Sequence, residues 1–209
     1  MIYQLFLAYA YEQGDLSRVY PINRGTAPFI VLLVSLVFLT DPLQPAHFAG
    51  IFVLGLGIAL MARGVFSSGE SRRLLPYALG AAMATAGYTL TDGLGARVSG
   101  QPVAYVGWLM VVAAVTYVPV VVALKGTAVL RVGPIDLVKG LFAAAASFGA
   151  YAIAVWAMTL APIALVGALR ETSILFAVLI GWLWFGERMD RGKIAAVILV
   201  VLGVALTRL

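Results

Sequence analysis

Seven long stretches of this chain offer almost nothing for water to solvate: residues 19–39, 46–62, 74–91, 102–124, 137–160, 162–185 and 194–207. A helix needs about 20 mostly apolar residues to cross the hydrocarbon core of a bilayer, and each run approaches that length. Short polar joints divide them, such as Thr40-Asp41-Pro42, the segment from Arg63 to Arg73, and Gly186-Glu187-Arg188. Only 11% of the 209 residues are charged and 63% are hydrophobic; a soluble domain carries roughly 25% charged residues. So few charges cannot clothe a water-facing surface, and lipid must be the main solvent. The expected fold class is an all-α polytopic membrane protein in the inner or plasma membrane.

The same composition removes several kinds of chemistry. Cysteine is absent, which excludes disulfides and thiolate metal sites, and the single His47 cannot build a metal cluster. No cofactor is expected. No G-x-S-x-G elbow, H-E-x-x-H helix or Walker loop is present, so the chain does not read as an enzyme. The formal charge of +5 does not point to nucleic acid, because no basic patch with interleaved aromatics exists. No basic n-region marks a secretory signal after Met1.

An eighth apolar run, Met1 to Tyr11, covers about half of a ~30 Å hydrocarbon core at ~1.5 Å per residue. If the eight segments alternate across the membrane, one side collects Arg18, Arg63, Arg72, Arg73, Lys125, Arg131, Lys139, Arg188, Arg191 and Lys193. The other side has Arg97 and Arg208. That bias predicts a cytoplasmic first side and a C-terminus facing outward.

An internal repeat accounts for the short first run. Sliding the chain against itself by 146 residues places Arg24 on Arg170, Thr26 on Thr172 and Asp41 on Glu187. The same offset pairs Ala49 with Ala195, Leu56 with Leu202, Gly57 with Gly203 and Leu60 with Leu206. Met1 then falls on Ser147, inside a span. Two five-helix copies are expected, the first lacking about seventy residues at its front. Residues 1–66 would be the rear part of the first copy and residues 67–209 the complete second. An odd helix count inverts the second copy relative to the first, the plan of many secondary transporters.

Arg24 and Arg170 stand inside apolar stretches rather than at their ends. A charge there is costly and ordinarily faces the bundle interior and a partner. Two readings stay open for them. With Glu171, which adjoins Arg170, they could hold an anionic or zwitterionic group in a midplane cavity, the guanidinium groups binding it bidentately, or an Arg–Glu pair could lock two helices together with Glu171 as the counter-ion. Pro21, Gly25 and Pro28 surround Arg24, and Pro162 and Gly167 precede Arg170. Irregular backbone at membrane depth is tolerated only where protein or a wet cavity satisfies it, so broken helices are expected at both arginines. Tyr20, Asn23, Thr26, Tyr88, Tyr151, Trp156 and Thr172 are candidates to line the cavity. Asp92, at the end of the span 74–91 and followed by Gly93, could be a gate or proton site, but a solvated helix-end carboxylate is expected; Asp41 and Glu187 are expected to be structural. Gly50, Gly55 and Gly57 permit close helix packing, within one chain or between two.

The stretch Gly14-Asp15-Leu16-Ser17-Arg18-Val19-Tyr20-Pro21, running into Arg24-Gly25-Thr26-Ala27-Pro28, resembles the EamA-like group of the drug/metabolite transporter superfamily. So do Tyr88-Thr89-Leu90-Thr91-Asp92-Gly93, Ala168-Leu169-Arg170-Glu171-Thr172-Ser173, and Gly186-Glu187-Arg188 before a glycine-rich last helix. The resemblance implies a ten-helix bundle of two inverted repeats that exports or exchanges small metabolites by alternating access. It places a central cavity near positions 24–28 and 170–173. It also implies that both termini are cytoplasmic, against the loop charges. The expected partners are a small polar or anionic substrate and the lipid bilayer, with a homodimer mate or a chain supplying the missing segment as further candidates. The competing expectation is a truncated, non-transporting remnant or scaffold that needs such a partner.

Overall fold

The computed structural model describes residues 6, 9–10, 16–39, 41–66, 74–185 and 191–207. Among these residues the chain is helical, without strands. Helix α1 is Leu16–Phe38, α2 Pro45–Phe66, α3 Leu74–Ser99, α4 Pro102–Lys125, α5 Pro134–Leu160, α6 Ile163–Arg170, α7 Ser173–Phe185 and α8 Arg191–Leu206. Each expected span appears within a few residues of its predicted bounds, except that 74–91 extends eight residues further, to Ser99, and 162–185 is divided into α6 and α7. Much of the 1–11 run lies outside the described residues; within it, Tyr9 stacks on Tyr77 of α3, with ring centroids 5.8 Å apart.

Local chemistry explains the helix boundaries. Helices α2, α4 and α5 each open on a proline, whose fixed φ suits a first helical turn and whose missing donor is not needed there. Gly100 after α3 and Gly126 after α4 have φ of 65° and 77°. That left-handed conformation terminates a helix at little cost only where no Cβ is present. Helices α4 and α5 are long and apolar enough to cross a membrane. Thr26–Phe38, Pro45–Leu60 and Ile194–Leu206 are shorter apolar stretches.

The chain divides into two compact units, residues 92–160 and residues 2–91 with 161–209. Helix α3 contributes to both. In the first unit α4 and α5 pack around Ala96, Val106, Ala152 and Val155. Arg97 Nε donates to the Met158 carbonyl at 2.8 Å, near the C-terminus of α5 where a cation is favoured. Elsewhere the pair is clad in exposed apolar side chains, among them Trp108, Val115, Leu124, Leu141 and Phe142. A surface of that kind suits lipid.

In the second unit, α2 and α8 run antiparallel in close contact. A Cβ on Gly50 would stand 2.7 Å from the Gly203 carbonyl oxygen, and one on Gly57 would stand 2.9 Å from that of Ala196. A Cβ on Gly203 would come within 2.5 Å of the Leu54 nitrogen. Small residues thus serve packing within one chain here. Gly55 instead admits the ring of Phe29 from α1. Leu54 and Ile58 of α2, Ile174 of α7 and Val200 of α8 form the buried core beside this contact.

Because backbone atoms oppose Gly203, Gly203→Val is expected to destabilise the protein by ~2 kcal/mol or more. The measurement is thermal unfolding of the detergent-purified protein. Gly140→Ala meets nothing within 4 Å and is expected to unfold at the wild-type temperature or slightly above.

Candidate functional site

The break between α6 and α7 is written in its hydrogen bonds. Thr172 presents both its backbone N–H, at 3.1 Å, and its hydroxyl, at 2.7 Å, to the Leu169 carbonyl. In a continuous α-helix that carbonyl would serve Ser173. The Glu171, Ile174 and Leu175 amides likewise reach back only three residues. The joint is therefore a tight 3₁₀-like turn, a recurrent form for a hinge. Neither proline nor glycine occupies it.

The expected second break, at Arg24, does not occur. Helix α1 runs without interruption through Pro21, Arg24, Gly25 and Pro28. Each proline deletes one donor, but the flanking residues keep the ladder, so the helix continues.

The joint places Glu171 in the interior, 4% exposed. Arg24 of α1 reaches it, with Nη1 3.3 Å from Glu171 Oε1. The second oxygen, Oε2, is buried and has no hydrogen-bond partner among the described residues. A buried acceptor left in that state costs about 1–3 kcal/mol, more when charged. Around it Ala27, Pro28 and Val31 of α1, Thr85, Tyr88 and Thr89 of α3, and Gly167 and Arg170 of α6 line a crevice of about 250 Å³, open mouth included. The crevice is narrow enough to hold no more than a single water. A Cβ on Gly167 would rest 3.6 Å from Thr89 Cγ2, an ordinary contact.

Of the candidates named from the sequence, Arg24, Arg170, Glu171 and Tyr88 come together here. Thr172 spends its hydroxyl on the joint. Thr26 is half-buried on α1 and does not line the crevice. The side chains of Tyr20 and Asn23 lie outside the described part of the structure, as does Glu187. Trp156 belongs to the 92–160 unit and is 49% exposed. Thr85 and Thr89 were missed, although polar residues at 85, 88 and 89 in an apolar helix mark one helical face.

Two acids differ in their fates. Asp41 Oδ2 accepts from the Ile163 N–H at 3.1 Å and so caps α6 from a distant loop, a structural role. Asp92 is not a solvated helix-end group: α3 continues seven residues beyond it, and the carboxylate is 6% exposed. Tyr105 donates to its Oδ1 at 3.2 Å and Tyr151 to its Oδ2. Tyr151, expected in the cavity, is thus engaged with Asp92. The correction arises because Gly93 does not end the helix; a glycine inside an α-helix weakens it without stopping it.

Removing Arg24 alone strands a buried acid. Arg24→Met is expected to destabilise the folded protein by about 3 kcal/mol, and adding Glu171→Gln to recover at least half of that. Thermal unfolding of the two variants measures both numbers.

The model of the EamA-like transporter family matches residues 73–209, more than half of the chain. Among curated proteins none matches. A protein of known crystal structure is similar in fold, with a TM-score of 0.73 and 20% identity, 99% of this chain aligning with 73% of that one. The chain belongs to the EamA-like transporter family, whose members are membrane transporters of the drug/metabolite type.

Proposed function

We propose that this EamA-like transporter moves a small zwitterionic or anionic metabolite by alternating access, holding it at Arg24, Arg170 and Glu171. The observation that carries the reading is the buried, unpartnered Glu171 Oε2 at the hinge between two half-helices. A substrate ammonium would supply the missing donor, and the Arg170 guanidinium beside it would take a carboxylate in its fork. In its present narrow state the crevice is closed on the substrate's place. Rotation at the 3₁₀-like joint would widen it, since that turn has the fewest α-helical bonds to lose.

The inverted-repeat plan, with residues 1–66 in one copy and 67–209 in the other, is part of this reading. Under the 146-residue offset, Gly50 corresponds to Ala196 and Gly57 to Gly203. The Gly50–Gly203 and Gly57–Ala196 approaches are then one contact made twice with the partners exchanged. The Gly203–Leu54 and Gly57–Val200 approaches form a second such pair, because Leu54 corresponds to Val200. Exchanged pairs are the signature of a two-fold axis between equivalent surfaces, and they support a multi-pass bundle built from two inverted copies. Export or exchange across the cell membrane follows from the family resemblance.

Uptake of a radiolabelled amino-acid mixture by proteoliposomes tests the site. Arg170→Ala and Arg24→Ala are each expected to lower the rate at least tenfold. Gly167→Ala is expected to fold normally and to lower the rate severalfold, because its methyl narrows the crevice without a clash. Full activity in both arginine variants would sink the assignment.

A further inference from the structure

The second buried acid has a different construction from the first. Glu171 is met by a guanidinium; Asp92 is met by two phenols and, among the described residues, by no cation. From α4 it is faced by Tyr105 and from α5 by Tyr151, while Arg97 on its own helix turns to the Met158 carbonyl. Both tyrosines pack against a buried apolar cluster of Ala96, Val106, Ala152 and Val155. Gly95 makes the arrangement possible, since a Cβ there would stand 2.7 Å from the Tyr105 hydroxyl oxygen.

A phenol can donate or accept. To an ionised carboxylate both tyrosines donate. When the carboxyl is protonated, its own O–H can point at one tyrosine oxygen, whose hydrogen rotates away, and the other oxygen still accepts. Either protonation state is therefore hydrogen-bonded without any side chain leaving its place. A guanidinium partner would hold the acid in one state; two phenols do not.

We propose that Asp92, held between the Tyr105 and Tyr151 hydroxyls, binds and releases the proton that couples transport to a pH gradient. The acid takes a proton from water on one side of the membrane, forming one O–H bond, and returns it to water on the other. Helix α3 carries Asp92 three residues, less than one turn, beyond Thr89, and Thr85, Tyr88 and Thr89 of the same helix line the crevice. The inference rests on the transport reading above, so the test separates the two.

Proteoliposomes of the full chain, loaded with the radiolabelled amino-acid mixture, are assayed for efflux at equal pH and across a gradient of one pH unit. The gradient is expected to accelerate wild-type efflux at least fivefold, and Asp92→Asn to abolish that acceleration. Acceleration that survives in Asp92→Asn, or wild-type efflux that ignores the gradient, overturns the proton role and leaves the transporter reading intact. Should no labelled compound move, the proposed solute class has failed, and Asp92 is read separately by infrared pH-difference spectra in nanodiscs. A titrating carboxyl band present in wild type and Glu171→Gln but lost in Asp92→Asn supports the inference. No such band at any pH overturns it. If Asp92→Asn does not fold, Tyr151→Phe carries the same measurements, with a displaced midpoint of the band expected and an unchanged one counting against the proposal.

Discussion

A carboxylate carried into the apolar depth of a helix bundle must find its donors in protein, because no water is there to supply them. Much of this molecule's side-chain hydrogen bonding follows from that requirement. Glu171 draws Arg24 across from α1 and so fastens that helix to the α6–α7 joint. Asp92 draws one tyrosine from α4 and one from α5 onto α3. Asp41, in the loop between α1 and α2, accepts from the buried amide at the start of α6. Three acids use three kinds of donor, and the kind of donor sets what each acid can do. A guanidinium holds charge, a helix amide fixes a boundary, and a phenol leaves the protonation state free to change.

Rigid and yielding parts are divided by the same local chemistry. Where α2 meets α8, glycines bring backbone against backbone, and nothing on either side is flexible enough to give way. That contact is a scaffold. Where α6 meets α7, the backbone bonds reach back only three residues and leave a short turn. That joint is the place where the least is lost by moving. A transporter needs both, since alternating access is the motion of one body against another that keeps its form.

The candidate site was partly legible in the sequence because charge inside an apolar run is conspicuous. Arg24, Arg170 and Glu171 stood out for that reason, and they do converge. Thr85 and Thr89 did not stand out, since a threonine in a spanning helix ordinarily satisfies its hydroxyl on its own backbone, as Thr85 does on Ala81. Asp92 differs from its expectation because a glycine beside it resembles a helix end, and linear pattern cannot tell a glycine that stops a helix from one inside it. The prolines act in the same way: they mark where a donor is missing, and α1 continues through them.

By itself the sequence determined the solvent, the approximate limits of most of the apolar helices, and the family, because hydrophobicity and motif are properties of residues along one dimension. Tertiary structure alone decided which acid meets which donor, which helix breaks, and whether Gly50, Gly55 and Gly57 face their own chain. Those outcomes depend on distances between residues tens to more than a hundred positions apart, such as Arg24 and Glu171. A hydrogen bond exists only where the fold brings donor and acceptor to about 3 Å, and no periodicity in the chain encodes that approach.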